Sequence, residues 1–319
     1  MFPTHGRAAL ADQKKQGGAD FPRPLCGVIP PMVTPLVARD KLDVAGLERL
    51  VEHIIAGGVH GLFILGTSGE APSLSYALRR ELIERTCNLV KGRLPVLVGI
   101  TDTSCVESVN LAVHAAKAGA AAVVTSTPYY FPAGQRELAE YMERLVQELP
   151  LPLFLYNIPM MTRIAFEIST VKRLLQLEGI VGIKDSSGDL RYFGELVNLT
   201  RQRPDWTVLI GQEHLLAEAL RCGGHGVVGG GANFYPALFV NLYQAVTRGN
   251  GQAELQKRVL QIDEVYRASN EASALIKGMK CALSLLGICD DFMAEPFSRF
   301  PEPERGRIRA VLVRAGLLS

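Results

Sequence analysis

Four short polar clusters, each directly after an apolar run, hold the residue types able to do chemistry in this chain. They are Gly66-Thr67-Ser68-Gly69-Glu70, Thr127-Pro128-Tyr129-Tyr130, Tyr156-Asn157-Ile158-Pro159 and Lys184-Asp185-Ser186-Ser187-Gly188. Lys184 follows Ile180-Val181-Gly182-Ile183, and a lysine amine attacks a carbonyl carbon only when it is neutral. With a reference pKa of ~10.4, about one lysine in two thousand is neutral at pH 7. An apolar surrounding disfavours the ammonium and enlarges that fraction, and the run before Lys184 offers one. Asp185 would oppose this if it pointed the same way. Side chains alternate along a strand, so Asp185 is expected to face away from Lys184.

Each cluster also has a plainer reading. A strand-end lysine can be a solvated or ion-paired group. Tyr156 can relay a proton between an imine, a substrate and water, or can be a rim aromatic with its hydroxyl in solvent. Thr67-Ser68 between two glycines can hold a carboxylate with hydroxyls and backbone N–H groups, or can be an ordinary strand-to-helix turn. What separates these readings is whether the clusters meet.

The elements around them predict that they do. From residue 27 on, the runs Gly27–Leu36, Val59–Gly66, Leu94–Ile100, Ala121–Pro128, Leu151–Asn157, Ile180–Asp185, Thr207–Gly211 and Gly226–Gly230 are short and rich in Val, Ile and Leu, with little alternation. Strands buried on both faces of a parallel sheet read this way. Between them the period is helical: Leu47, Leu50, Val51, Ile54 and Ile55 share one face, with Asp43 as N-cap and Gly57-Gly58 as the stop. Eight strands alternating with helices predict an α/β chain folded as a (β/α)8 TIM barrel over residues 25–248; a doubly wound sheet is the alternative. Residues 249–319, amphipathic at Leu255–Val265, Ala274–Leu286 and Glu304–Leu317, are read as additional C-terminal helices packed on the barrel or covering an oligomer interface. Residues 1–24, polar with Gly and Pro and without an apolar signal core, are read as a flexible N-terminal extension. Catalytic groups of such barrels lie at the C-terminal strand ends, where all four clusters fall.

Bulk properties narrow the partner. At 319 residues with a formal charge of +2 and acids and bases interspersed, there is no basic stripe for nucleic acid. No apolar run reaches the ~18 residues of a membrane helix. The expected partner is a small molecule. Six scattered cysteines without a CxxC pair fit buried thiols in a reducing cytoplasm. Six histidines without HxH or HExxH spacing supply no metal set.

With these clusters in order, the chain resembles the N-acetylneuraminate lyase and dihydrodipicolinate synthase family of class I aldolases, over roughly residues 25–315. The likeness rests on GTSGE (66–70), TPYY (127–130), YNIP (156–159), GIKDSSGD (182–189) and GGHGVVGG (223–230). It implies a metal-independent carbon–carbon or carbon–oxygen lyase acting on pyruvate or a related 2-oxo acid, with no cofactor beyond a covalent imine on Lys184. It further implies Tyr156 as proton shuttle, relayed by Thr67 and by Tyr130 from a neighbouring subunit. Thr67 and Ser68 would hold the substrate carboxylate, and Gly211 and Val228 would contact the keto acid or the lysine through their backbones. Relatives of this kind are usually homotetramers.

Departures from the pattern bear on specificity. Dihydrodipicolinate synthases carry, after YNVP and one further residue, an arginine for the second substrate's carboxylate and then Thr-Gly. Here Met161 takes the arginine position and Arg163 that of the glycine. A thioether cannot pair with a carboxylate; Arg163 would have to act from a different backbone position. The run Gly229-Gly230-Gly231 suggests a roomier pocket, a phosphate site, or glycines that simply admit close backbone approach. The expected activity is therefore cleavage or dehydration of a hydroxylated 2-oxo-3-deoxy acid, with dihydrodipicolinate synthesis from pyruvate and aspartate semialdehyde as the alternative. A non-catalytic keto-acid binder would need neither Lys184 nor Tyr156. A sugar-phosphate isomerase using the glycine run would leave both without a joint purpose.

Overall fold

The computed structural model describes residues 21–319; the predicted extension up to residue 20 lies outside them. Eight parallel strands form one sheet: β1 (Gly27–Val28), β2 (Leu62–Ile64), β3 (Val96–Gly99), β4 (Ala122–Ser126), β5 (Leu153–Asn157), β6 (Ile180–Asp185), β7 (Thr207–Ile210) and β8 (Gly226–Val227). Each pairs with the next in chain order from β2 to β8, and β8 pairs with β1. The sheet closes through a parallel bridge between Pro31 and Phe63, where Met32 donates to the Phe63 carbonyl at 2.8 Å and Phe63 to that of Pro30 at 3.0 Å. The result is a (β/α)8 barrel. One difference from expectation concerns the first run: regular pairing ends at Val28, and Leu36–Ala38 instead forms a small antiparallel hairpin with Lys41–Leu42. Pro30, Pro31 and Pro35 lack the N–H that a central strand must donate.

Helices follow the strands in turn: α1 (Val44–Ala56), α2 (Tyr76–Val90), α3 (Cys105–Ala118), α4 (Gln135–Glu148), then α5 (Pro159–Thr162) with α6 (Ile168–Leu174), α7 (Leu190–Leu199), α8 (Leu216–Arg221) and α9 (Pro236–Arg248). Their starts are written in the sequence. Asp43, Ser75, Ser104 and Asp189 each accept a first-turn backbone N–H, as N-caps do. Beyond Arg248 come α10 (Gln252–Ile262), α11 (Ala274–Leu285) and α12 (Glu302–Arg314).

Two apolar clusters result. The larger fills the layer between strands and helices; the smaller fills the barrel interior with Ile29, Phe63, Val124, Phe154, Tyr156, Val181 and Leu209 among others. Phe21 joins the smaller one, edge-on to Phe154 with centroids 5.8 Å apart. No helix among the described residues is long and apolar enough to cross a membrane.

Candidate active site

The inward aim of Lys184 depends on an irregularity. Along β5, Phe154 and Tyr156 belong to the interior cluster while Leu153 and Leu155 face the helices. Leu153 pairs with Ile180 but Phe154 with Gly182, so β6 carries one extra residue, Val181. Such a bulge shifts the alternation by one. Val181 faces inward, Ile183 outward, and Lys184 comes level with Tyr156. Gly182 tolerates the bulge because a Cβ there would lie 2.6 Å from both the Phe154 ring and the Thr207 carbonyl.

Lys184 is 6% exposed, and its Nζ lies 4.0 Å from the centre of the Tyr156 ring and 5.4 Å from that of Phe63. Among the described residues no carboxylate lies within ion-pairing distance of it. Asp185 turns the other way, as alternation requires. It accepts from Asn157 Nδ2 at 2.8 Å, Ser187 N at 3.1 Å and Ser187 Oγ at 2.9 Å. Burial raises the Asp185 pKa while these three bonds counter the rise. Asn157 Oδ1 in turn accepts from Phe166 N at 3.1 Å. The Asn and Asp of the two motifs therefore tie β5, β6 and the following loop together behind the lysine.

Tyr156 stands edge-on to Phe63, and its hydroxyl is 3.4 Å from Thr67 Oγ1. Thr67 and the buried Ser68 line the same cavity as Lys184. Among the described residues, the backbone N–H groups of Thr67 and Ser68 donate to no protein acceptor, whereas Gly69 and Glu70 close the turn onto Gly66 and Thr67 carbonyls. Two donors thus remain for an anion.

The cavity has a volume of about 340 Å³. Gly211 and Val228 line it, but their N–H groups are engaged by the carbonyls of Asp185 and Ile210, and a Cβ on Gly211 would lie 1.9 Å from Ser186 Oγ, so Ser186 fills the space beside that glycine. Met160, Met161 and Leu275 form an apolar rim; Gln212, His214 and Asp263 add polar groups. Among the described residues that line it, Lys184 is the only lysine or arginine.

Two expectations are corrected here. Arg163 does not line the cavity. It caps α5 in the left-handed region at φ 61, where a glycine would be unstrained, and its side chain is exposed. The glycine run gives neither a roomier pocket nor an anion site. Glu213 fills the space: its Oε2 accepts from Gly231 N at 2.7 Å and its Oε1 from Tyr266 Oη at 2.7 Å. A Cβ on Gly229 would meet Glu213 at 3.1 Å, and one on Gly230 would meet Met279 Sδ at 2.9 Å. A buried carboxyl beside these N–H groups leaves no place for phosphate. Burial pushes the Glu213 carboxyl up to about 7 against the hydrogen bonds from Gly231 and Tyr266.

Tyr130 is 73% exposed, stacked edge-on with the equally exposed Phe131 at 5.0 Å, and it does not line the cavity of its own chain. Sequence reasoning missed Gln212, Glu213, His214, Asp263 and Tyr266. The first three adjoin Gly211 and were within reach; Asp263 and Tyr266 come from the C-terminal segment with no local signal. No group of three or more metal-binding side chains occurs among the described residues.

Residues 24–315 match the Dihydrodipicolinate synthetase family. The chain belongs to that family. Like the family's other members it is a class I lyase. A probable 2-dehydro-3-deoxy-D-pentonate aldolase, YjhH, of Escherichia coli is 33% identical over 298 residues, covering 92% of this chain and 98% of its own. A 4-hydroxy-tetrahydrodipicolinate synthase of Nitrobacter hamburgensis is 34% identical over 292 residues, covering 90% and 96%. Among solved structures, a dihydrodipicolinate synthase of Bacteroides thetaiotaomicron superposes with a TM-score of 0.89 at 51% identity over 92% of this chain and all of its own. YagE, a prophage protein of the family from Escherichia coli solved in complex with pyruvate, superposes with a TM-score of 0.87 at 30% identity, covering 92% and 99%.

Proposed function

We propose that this dihydrodipicolinate synthetase family lyase cleaves or dehydrates a hydroxylated 2-oxo-3-deoxy acid through an imine on Lys184. The observation that carries this reading is the charge inventory of the cavity. Among the described residues that line it, Lys184 is the only lysine or arginine, and Met161 stands at the rim where a second carboxylate would need a cation. The volume of about 340 Å³ falls in the ~300–1,000 Å³ range of small-molecule sites.

Each step has a residue for it. The substrate carboxylate sits on the N–H and hydroxyl groups of Thr67 and Ser68. Lys184 Nζ adds to the 2-oxo carbon and water leaves, giving a protonated imine that acts as an electron sink. Tyr156 gives its proton to that departing water and becomes a phenolate; in cleavage, the C3–C4 bond breaks, its electrons pass into the imine to form an enamine, and the phenolate takes the C4 hydroxyl proton. An aldehyde departs, C3 is protonated, and water hydrolyses the imine to release pyruvate and free Lys184. Thr67, 3.4 Å from the phenol, connects the shuttle to its relay. Tyr130 would complete that relay in a neighbouring copy, which suits its exposure beside Phe131; the assembly would be a homotetramer.

Condensation of pyruvate with aspartate semialdehyde is the second reading, favoured by the 51% identity to a protein described as a dihydrodipicolinate synthase. The decisive experiment is borohydride reduction with pyruvate and peptide mapping, followed by a panel of 2-oxo-3-deoxy acids against pyruvate plus the semialdehyde. An adduct elsewhere than Lys184 overturns the mechanism. Preferred turnover with the semialdehyde overturns the substrate.

A further inference from the structure

Another buried lysine, Lys280, takes no part in the chemistry above. Lys280, on α11, is fully enclosed; its Nζ forms an ion pair with the Glu70 carboxylate and donates to the Phe292 carbonyl at 2.8 Å. Glu70 is equally enclosed, and its Oε1 accepts from Ala294 N at 2.8 Å. Glu70 ends the Thr67–Ser68 turn and holds the left-handed conformation at φ 55, uncommon for a residue with a side chain. The carbonyl of Gly69, one residue before, accepts from Thr34 Oγ1 at 2.7 Å. The downstream end of the turn is therefore anchored from two sides, and one anchor lies about 210 residues away in the chain.

Stability alone does not account for this pair. Taking both charges out of water costs what their attraction and the added hydrogen bonds must offset, and apolar replacements of such pairs are often neutral or better. Burial pulls the Lys280 ammonium below its ordinary range, and the Glu70 carboxylate works against that pull. What an enclosed ion pair does supply is a fixed relative position for the two segments that carry it.

We propose that Lys280 and Glu70 are positioning residues that clamp the Thr67–Ser68 turn to α11 and the loop at 290–294, holding the turn's free N–H groups where the substrate carboxylate binds. The inference rests on the reading of that turn as the carboxylate cradle. It makes the C-terminal segment part of the binding machinery although Lys280 touches no substrate.

The test compares wild type with Glu70→Gln/Lys280→Met, which removes both charges at similar volume, and with Lys280→Met alone, which strands a buried carboxylate and is expected to lower the unfolding temperature. The double variant is expected to unfold cooperatively near the wild-type temperature. Its half-saturating pyruvate concentration for borohydride trapping should rise about tenfold, the worth of one well-placed hydrogen bond to a charged group, with full trapping of Lys184 at saturation. Amide hydrogen exchange of residues 66–70 should speed up. A folded double variant with wild-type half-saturation and unchanged exchange at 66–70 overturns the proposal, as does one that cannot fold while Lys280→Met alone binds normally. If the wild type itself fails to trap pyruvate, the keto-acid reading falls, and the exchange at 66–70 still decides whether the pair positions the turn.

Discussion

Lys184 and Tyr156 are register partners on neighbouring strands, and the lysine Nζ lies 4.0 Å from the centre of the phenol ring. The proposed nucleophile and proton carrier thus sit side by side on neighbouring strands of one rigid sheet, with no loop between them to adjust. Preorganisation of this kind lowers the cost of bringing reacting groups together.

Lys184→Met should abolish borohydride-dependent addition of pyruvate and reduce turnover to background while keeping the fold, since the position is buried among aromatic rings. Intact-mass measurement after reduction reads the adduct directly. Retained labelling at another lysine would move the nucleophile.

Tyr156→Phe keeps the edge-on contact with Phe63 and removes only the hydroxyl beside Thr67. Trapping with pyruvate should persist, while turnover falls ~10²- to 10⁴-fold, the range for loss of a general acid–base group. Steady-state and single-turnover rates separate the two. Normal turnover would exclude Tyr156 as the shuttle.

Met161→Arg puts a cation at the cavity rim. A charge-assisted hydrogen bond is worth ~1.5–3 kcal/mol, so the ratio of kcat/KM for aspartate semialdehyde to that for a 2-oxo-3-deoxy acid should rise roughly 10- to 100-fold. An unchanged ratio would show that this position does not select the second substrate.

Arg163 occupies a left-handed position without lining the cavity. Arg163→Gly should raise stability by about 1 kcal/mol, the relief of strain being partly offset by the freer unfolded chain. Its KM should not move. A marked loss of substrate affinity would return Arg163 to the site.

Glu213 provides a pH signature. Its carboxyl is raised from 4.5 to about 7 by burial, so between those values the folded protein holds a proton that the unfolded chain releases. Stability from this group is therefore greatest at the acid end and is lost as pH rises through about 7, a change on the order of 3 kcal/mol at ~1.4 kcal/mol per pH unit. Denaturant midpoints from pH 5 to 8 should fall in the wild type and stay flatter in Glu213→Gln. Parallel profiles would refute the assignment.

The barrel and the mouth where its polar strand ends gather were legible in the sequence alone. Strands buried on both sides leave a compositional trace, so the eight runs in order imply eight parallel strands, and their polar ends collect at one mouth. Local rules also located the caps of α1 and the opposite facing of Lys184 and Asp185. The tertiary structure decided the rest. The bulge at Val181 that turns Lys184 inward is a mismatch between two strands, and no single run of residues encodes a register with its neighbour. Glu213 occupies the glycine run because Tyr266 and Gly231 offer it hydrogen bonds from distant parts of the chain. Lys280 finds Glu70 across the same kind of gap. Periodicity and spacing report what lies along the chain; the partner of a buried charge depends on what lies beside it in space, where desolvation makes the pairing compulsory.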